Sequence, residues 1–472
     1  MSCRAIVLPL IVAILPALGL CAGVLPPGVQ ESLNLRKAPD SSLSVYVENL
    51  DTGEPVLTWN EDVPRNPASV VKLLTTLVAL DVLGPAYTWK TEAYIVGELV
   101  DGVLDGDLLL KGYGDPWLVT ERVWQMLRQI RQEGVRKING DLLIDDSHFE
   151  VPYHDPAAFD REPLRAYNVA PNALLMNFKV VRYRFEPASN SAAVNIRTDP
   201  PLQNLQIENR LKLVPGRCRG YQRGITITPN HATDRMIMSG DFPSGCNSYE
   251  MGRTALSHNQ FTYGLFKSIW LESGGEFSGS YWNVIKPEHA EPILVFESWP
   301  LADVITKVNK HSNNVMARQL LLTLGAEKNG APGTEDGGRQ VVEDWLKERK
   351  LHFTELKLDN GSGLSRESRL SAEVLGGILR YAWESPFMPE FMSSLSLSGL
   401  DGTLARRFRN EPLTGKAHIK TGRLDNVAAI AGYLQAKSGN RYAVVALQNH
   451  TDVHRGPGEE VQAALLRWLY EQ

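Results

Sequence analysis

The sequence has few cysteines, no excess of charge of either sign and little that could cross a membrane. It contains four cysteines in 472 residues, and 49 lysines and arginines against 54 aspartates and glutamates leave a net charge of −5. A nucleic-acid-binding protein usually carries a basic excess, so that class is not supported. The one long apolar run, from Ile6 to Leu20, is shorter than the roughly 20 residues that a membrane-spanning helix needs.

Several motifs of common catalytic and binding sites are also missing. The sequence has no Cys-x-x-Cys, no His-Glu-x-x-His and no Gly-x-x-x-x-Gly-Lys-[Ser/Thr], which argues against a redox or zinc site, a metalloprotease and a phosphate-binding loop. A Gly-x-Ser-x-Gly elbow is absent too, so a Ser-His-Asp hydrolase built on that elbow is not supported. We therefore predict neither a metal nor an organic cofactor.

The N-terminal segment is typical of a secretory signal peptide. Arg4 supplies a positive charge, the apolar run follows, and small residues end the segment at Gly23. We predict a signal peptide over residues 1–23 and an exported protein. An uncleaved membrane anchor and a lipoprotein acylated on Cys21 are the alternatives, although Leu20 stands where a lipoprotein has a small residue.

Two cysteines, Cys218 and Cys246, lie beyond the signal segment. In an oxidising compartment such a pair is expected to form one disulfide. Two buried free thiols are the alternative.

The order of predicted elements indicates one domain that is interrupted by an insertion. Two strands near residues 43–59 precede a helix that Asn66 caps, that Pro67 opens and that ends near Leu83. Short apolar runs then alternate with turn residues to about position 285, which predicts strands and hairpins. Helices follow from about residue 300, and three strands and a last helix end the chain. The predicted segments are 1–23 (signal peptide), 24–90 (first segment of the interrupted domain), 91–289 (a β-rich insertion, expected to form two domains) and 290–472 (second segment).

A serine and a lysine are spaced for nucleophilic catalysis at the start of the first predicted helix. Residues three apart face the same side of a helix, so Ser69 Oγ and Lys72 Nζ can meet. The helix N-terminus favours negative charge at Ser69. A serine hydroxyl needs a base to take its proton, and a lysine can be that base when burial or a nearby cation keeps it neutral.

Two further sequence motifs accompany this serine–lysine pair. Ser312 and Asn314 form a Ser-x-Asn between two predicted helices, and Lys420-Thr421-Gly422 ends a predicted strand. The combination of Ser-x-x-Lys, a Ser-Asp-Asn-type element and Lys-Thr-Gly is the signature of penicillin-binding proteins and class A β-lactamases.

The chemistry assigns a role to each of these elements. Ser69 would attack a carbonyl, Lys72 would accept its proton, Ser312 could relay a proton to the leaving amine, and Asn314 could bind the substrate amide. Lys420 would place a cation beside the site. Gly422, after Thr421, would let a substrate lie along the strand edge as an additional strand, and the backbone N–H groups of Ser69 and Arg423 would bind the oxyanion.

The chain resembles the class C low-molecular-mass penicillin-binding proteins, which are D-alanyl-D-alanine carboxypeptidases and endopeptidases of peptidoglycan. Besides the three motifs, four stretches look like recurring segments of that family, namely 112–117, 140–145, 359–366 and 400–404. The long gap between Ser69 and Ser312 also fits, because this family inserts extra domains there. The resemblance implies an α/β (α+β) fold with a serine β-lactamase/transpeptidase-like domain, in which helices flank an antiparallel sheet, and β-rich inserted domains.

The resemblance also implies a pocket for a side chain of the stem peptide, often diaminopimelate. Arg366 matches a position that lines it, and Asp145 and Phe149 are expected to reach it from the insertion. The sequence departs from the family at two positions. Arg423 stands where Ser or Thr is usual, and Asp425 stands where a neutral amide is common.

We predict a periplasmic serine D,D-peptidase that acts through a Ser69 acyl-enzyme on peptidoglycan stem peptides and is acylated by β-lactam antibiotics. It would release terminal D-Ala, cleave D-Ala–diaminopimelate cross-links, or do both. A β-lactamase or esterase on the same scaffold and a non-catalytic wall-binding protein are the alternatives. No nucleic-acid partner is expected, and association with the membrane is left open.

Overall fold

The structure is a computed structural model that describes residues 23–472 except 190–192, 220–223, 231–232, 255 and 352–355. The predicted signal peptide therefore lies outside the described residues, apart from Gly23. Within the described ranges, no helix is both long and apolar enough to span a bilayer.

Strands and helices are grouped along the chain, with one run of strands over residues 137–254 and one run of helices over residues 301–393. In chain order the strands are β1 (Leu43–Asn49), β2 (Pro55–Trp59), β3 (Lys90–Val100), β4 (Val103–Gly112), β5 (Lys137–Ile138), β6 (Leu142–Asp145), β7 (Val180–Pro187), β8 (Val194–Asp199), β9 (Gln206–Arg217), β10 (Ile225–Asn230), β11 (Arg235–Gly245), β12 (Tyr249–Thr254), β13 (Glu276–Phe277), β14 (Tyr281–Asn283), β15 (Leu294–Glu297), β16 (Ser396–Leu397), β17 (Ala417–Leu424), β18 (Val427–Gln435) and β19 (Arg441–Asn449). The helices are α1 (Pro27–Leu35), α2 (Lys72–Leu83), α3 (Thr120–Gln132), α4 (His258–Glu272), α5 (Leu301–His311), α6 (Asn314–Asn329), α7 (Glu335–Glu348), α8 (Ala372–Glu384), α9 (Met388–Ser393) and α10 (Pro457–Tyr470).

A six-stranded antiparallel sheet joins the two ends of the chain in the order β16-β17-β18-β19-β1-β2. Its central strand β18 is buried on both faces. Ala431 and Tyr433 face a core that α2, α5, α6, α7 and α8 build, whereas Ile430 and Leu434 face a second core under α1 and α10. Because side chains alternate along a strand, an apolar run such as that of β18 fits a sheet covered by helices on both sides.

The part of the chain between β2 and α5 forms separate sheets. One has the order β13-β5-β4-β3-β15, with β6 and β14 attached, and two three-stranded sheets have the orders β10-β11-β9 and β12-β7-β8. A disulfide joins Cys218 and Cys246, as predicted. The segment limits stay predictions, and β15 pairs with β3 although it follows the predicted end of the insertion at residue 289.

Candidate active site

Ser69 lies in a short 3-10 turn, Ala68–Val71, that leads into α2. The predicted helix start is therefore wrong in detail. Pro67 lies outside the helical turn, Asn66 is not its cap, and the α-helix itself begins at Lys72.

The side chain and backbone of Asn66 explain this difference, because they are held by neighbouring loops. Its amide donates to the carbonyl of Ser365 at 2.9 Å, and its backbone N–H donates to Asn449 Oδ1 at 2.8 Å. Its own Oδ1 accepts from the Ala68 N–H at 2.9 Å. These bonds fix the segment that enters the turn, and they place Ser69 at the wall of an open cavity of about 1130 Å³.

Lys72 is fully buried, and its side chain reaches the Ser69 hydroxyl. Its Nζ lies 3.0 Å from Ser69 Oγ and 2.7 Å from Asn314 Oδ1, and it also donates to the backbone carbonyl of Ser362. Burial, and after it the charge of Lys420, lower the pKa of Lys72 well below the ordinary value for lysine. Lys72 thus meets both the geometric and the electrostatic requirements of a base for Ser69.

The tight junction between α5 and α6 brings two polar side chains to the same place. Ser312 ends α5 in the left-handed conformation, with φ of 55°, and the Asn313 side chain caps α6 by accepting from the Met316 N–H at 3.1 Å. The turn places Asn314 against Lys72 and Ser312 at the cavity that Ser69 lines.

Lys420 completes the cluster from β17. Its buried ammonium lies 2.9 Å from Ser312 Oγ and 2.8 Å from the Thr421 carbonyl. Burial lowers the pKa of Lys420 to about 7. The two lysines therefore link the three motifs into one hydrogen-bonded site.

Gly422 is required by the close approach of β17 to the serine turn. A Cβ atom on Gly422 would lie 2.6 Å from the Pro67 carbonyl oxygen and 3.1 Å from the backbone nitrogen of Ser69. Next to it, β16 pairs only with His418 and Ile419, so within the described residues β17 keeps an unpaired edge from Lys420 onwards.

Arg423 and Asp425 line the mouth of the cavity. Arg423 lies 3.9 Å from Glu459, and Asp425 lies 3.8 Å from Arg366 and 3.5 Å from the His454 Nε2 atom. The two departures from the family pattern thus face the space in which a substrate would bind.

Arg366 lines an adjoining cavity of about 470 Å³, and its neighbours there are not the residues that the resemblance implied. Asp155 and Phe159 line this cavity, and the Arg366 guanidinium lies 4.9 Å from the centre of the Phe159 ring. Phe159 also lines the Ser69 cavity, so the two spaces adjoin.

The expected pocket roles of Asp145 and Phe149 are corrected by these positions. The Asp145 side chain is 0 % exposed and pairs with Lys111 at 2.8 Å. Phe149 is buried against Ala173 and α6. Neither residue lines the two cavities. The predicted pocket roles of Asp145 and Phe149 are therefore wrong, because both side chains are buried in the interior of the insertion and away from the two cavities.

The position of Asp145 leads to a stability prediction. Besides Lys111, its carboxylate accepts from the Ser147 hydroxyl and from the backbone of Lys286. Asp145→Asn leaves the Lys111 ammonium without its counter-charge, so we expect the free energy of unfolding to fall by about 3 kcal/mol. Urea denaturation measures this loss. At urea concentrations below the unfolding transition, the peptidase kcat/KM of the variant should stay within twofold of the wild-type value. A large loss of activity in the folded variant would instead show that Asp145 belongs to the active site.

Sequence reasoning missed several residues of the site. The Ser362 carbonyl accepts from Lys72, a contact that the resemblance of the 359–366 stretch to the family did not indicate. Phe178, Arg182 and His454 line the Ser69 cavity. They belong to no motif, so no local signal could have identified them.

Comparison with known proteins places this geometry in a family. The model of the D-Ala-D-Ala carboxypeptidase 3 (S13) family matches residues 29–472. The chain belongs to this family. The match runs through all three motifs and across the insertion between Ser69 and Ser312, and it makes the chain a serine-type D-Ala-D-Ala carboxypeptidase.

Members of the S13 family with known sequences or structures agree with this assignment. A D-alanyl-D-alanine carboxypeptidase of an Actinomadura species is 28% identical over 88% of this chain and 78% of its own length. The D-alanyl-D-alanine carboxypeptidase DacB of Haemophilus influenzae is 22% identical over 88% of this chain and 87% of its own length. The crystal structure of penicillin-binding protein 4 of H. influenzae has a TM-score of 0.79 at 22% identity and covers 94% of this chain and 99% of that chain. This likeness confirms the predicted transpeptidase-like fold.

Proposed function

We propose that Ser69 is the nucleophile of this peptidase and that Lys72 is its base. The observation that carries the proposal is the 3.0 Å contact between Ser69 Oγ and a fully buried Lys72 whose pKa is held low by burial and by Lys420. A neutral lysine at this distance can take the hydroxyl proton as the oxygen attacks.

The reaction then proceeds in two steps. Ser69 Oγ bonds to the carbonyl carbon of the penultimate D-Ala, and its proton moves to Lys72 Nζ. The C–N bond breaks as the proton held by Lys72 passes to the leaving amine with Ser312 as the relay, which returns Lys72 to its neutral form; Ser312 Oγ lies 2.9 Å from Lys420 Nζ. In the second step water attacks the Ser69 ester, Lys72 takes a proton from the water, and that proton returns to Ser69 Oγ as the ester bond breaks.

The substrate is proposed to lie along the free edge of β17. Peptide addition to an exposed strand supplies main-chain hydrogen bonds, and within the described residues the edge of β17 is unpaired from Lys420 onwards. The Lys420 cation and Thr421 would attract the terminal carboxylate, and Asn314 would hold an amide of the stem peptide. The backbone N–H groups of Ser69 and Arg423 would face the oxyanion, because the first residues of a helical turn have N–H groups with no partner in the helix.

The adjoining cavity suits a side chain that carries both charges. Arg366 offers a cation for a carboxylate, while Asp155 offers a carboxylate for an ammonium. Diaminopimelate carries both groups. We propose this cavity as the side-chain pocket of the stem peptide, with Asp155 and Phe159 in the roles that the sequence suggested for Asp145 and Phe149.

The width of the site favours cleavage of cross-links in addition to release of D-Ala. The Ser69 cavity measures about 1130 Å³ and is open, which is far more than a terminal D-Ala requires. Endopeptidases of Bdellovibrio bacteriovorus share the fold, with a TM-score of 0.55 for one of them at 15% identity. We propose that the protein acts on both kinds of bond.

β-Lactams are proposed as covalent inhibitors, and the periplasm as the location. A β-lactam is bound to the H. influenzae penicillin-binding protein 4 in one structure, and penicillin G acylates a B. bacteriovorus endopeptidase in another. The predicted signal peptide and the disulfide between Cys218 and Cys246 both support export to an oxidising compartment.

A test of the function uses the mature wild-type protein. Incubation with penicillin, proteolysis and mass spectrometry should locate one adduct on the peptide that contains Ser69. Digestion of purified muropeptides should release D-Ala from pentapeptides and convert cross-linked dimers to monomers. An adduct that forms and hydrolyses within seconds, with no muropeptide cleavage, would instead identify a β-lactamase. Folded protein with neither an adduct nor products would contradict the proposal.

The low pKa of Lys420 predicts a loss of activity as the pH rises. Lys420 carries its charge below about pH 7 and loses it above, so kcat/KM for a pentapeptide should fall as the pH rises through that range. Lys420→Arg should remove this alkaline limb, because a guanidinium stays charged. The pH profiles of the two proteins measure the effect. An alkaline limb that is unchanged in the arginine variant would remove Lys420 as its cause.

A further inference from the structure

A third, smaller cavity lies beside the Ser69 cavity, along α5, and takes no part in the mechanism above. It measures about 310 Å³ and is lined by Trp117, Trp299, Asp303, Val304 and Lys307. This volume is at the lower end of the roughly 300–1,000 Å³ that small-ligand sites occupy. The Trp299 side chain is 50% exposed, so an aromatic face is open to a ligand.

The charges around the two rings select against a cationic ligand. Lys307 Nζ lies 5.4 Å from the centre of the Trp117 ring, and the Arg122 guanidinium lies 5.4 Å from the centre of the Trp299 ring. Each ring therefore already makes a cation–π interaction with a side chain of the protein. A bound cation would meet like charge from both side chains, so the cavity suits a neutral ligand with an apolar face.

Two polar groups are available at the edge of the cavity. The Asp303 carboxylate and the Lys307 ammonium stand one turn apart on α5, and neither makes a side-chain hydrogen bond or ion pair with any residue that the structure describes. The carboxylate can accept hydrogen bonds from hydroxyl groups, and the ammonium can donate to a hydroxyl or an amide carbonyl. Two aromatic faces beside a few polar groups match a sugar ring, which has an apolar C–H face and a rim of hydroxyls.

We propose that this cavity binds an N-acetylhexosamine unit of the glycan strand that carries the stem peptide. This inference rests on the proposed function, in which the substrate is a stem peptide attached to that glycan. The site would make the enzyme prefer stem peptides that still carry their sugar.

The position of the cavity allows one substrate to occupy both sites. The Trp117 ring lies 5.7 Å from the ring of Phe178, which lines the Ser69 cavity. On α5, Lys307 of the small cavity and His311 of the large one are four residues apart, or about 6 Å along the helix axis. A stem peptide of four extended residues spans roughly 13 Å, which is enough to connect the two.

The test compares a substrate with and without its sugar. For wild type and Trp299→Ala, kcat/KM for D-Ala release is measured on a disaccharide-pentapeptide and on the free pentapeptide of the same sequence. We expect the ratio of the two values to fall about tenfold in Trp299→Ala. Trp282→Ala is the matched control, because Trp282 is another tryptophan with a side chain 60% exposed and lies on β14, so its ratio should equal that of wild type.

A binding measurement separates this inference from the peptidase proposal. The β-1,4-linked tetramer of N-acetylglucosamine is titrated into the mature protein while tryptophan fluorescence is recorded. Saturable binding by wild type that is lost in Trp299→Ala supports the sugar site, even if no D-Ala is released from either peptide. If the ratio of the two kcat/KM values is the same in Trp299→Ala as in wild type, the inference is wrong. If neither peptide is cleaved, the absence of saturable binding of the tetramer to wild type shows that the inference is wrong.

Discussion

Ser69→Ala is expected to form no covalent adduct with penicillin and to release no D-Ala above the uncatalysed rate. Alanine has no oxygen that could bond to the carbonyl carbon, so the acyl-enzyme cannot form. The fold should be retained, because the Ser69 side chain lies at the cavity wall and its one contact in the cluster is with Lys72. Labelling with a fluorescent penicillin, followed by denaturing electrophoresis, measures the adduct.

The control for this variant is a measurement of substrate binding, which does not require the Ser69 oxygen. The 3-10 turn, β17 and both lysines remain in Ser69→Ala, so a stem pentapeptide should bind with an affinity within a few-fold of its wild-type value, as measured by calorimetry. Loss of both the adduct and binding would indicate a damaged site instead of a missing nucleophile. An adduct at full stoichiometry in Ser69→Ala would show that another residue is acylated.

Lys72→Ala should slow acylation of Ser69 by at least about a hundredfold, which is the usual scale of losing a general base. The serine would keep its oxygen but would have no neutral amine at 3.0 Å to take its proton. The second-order rate constant for penicillin acylation, measured by stopped flow, gives the ratio. A rate close to that of wild type would remove Lys72 from the role of base.

Two further variants at Lys72 distinguish the loss of the base from a folding defect. Lys72 is buried, so alanine leaves a cavity beside Ser362 and Asn314, whereas Lys72→Met fills most of that volume without an amine. We expect Lys72→Met to fold at least as stably as wild type and to acylate as slowly as Lys72→Ala. Lys72→Arg adds a cation that does not deprotonate near neutral pH, so it should be just as slow.

The sequence predicted which motif residues lie together better than it predicted the residues that surround them. Ser69, Lys72 and Lys420 lie in short motifs whose spacing follows from one helical turn or one strand, and such patterns are visible without a structure. The contact between Lys72 and the Ser362 carbonyl joins residues 290 positions apart, so no local pattern records it. Asp155 and Phe159 lie in a part of the insertion without regular secondary structure, where neither a helical nor a strand period could fix the alignment.

The order of the last elements was predictable. The sequence indicated three strands and a final helix, and these correspond to β17, β18, β19 and α10. The start of α2 was not predictable, because the bonds of Asn66 to Ser365 and Asn449 depend on loops far away in the chain.

The pairing of β1 with β19 also governs when the enzyme becomes active. Leu43 lies opposite Gln448, so the first strand of the sheet is completed by one of the last. Lys420 reaches the serine cluster from β17, which the ribosome adds after nearly nine-tenths of the chain. A chain that emerges N-terminus first therefore exposes Ser69 long before the site exists. The fold itself therefore delays completion of the site until nearly the whole chain is available.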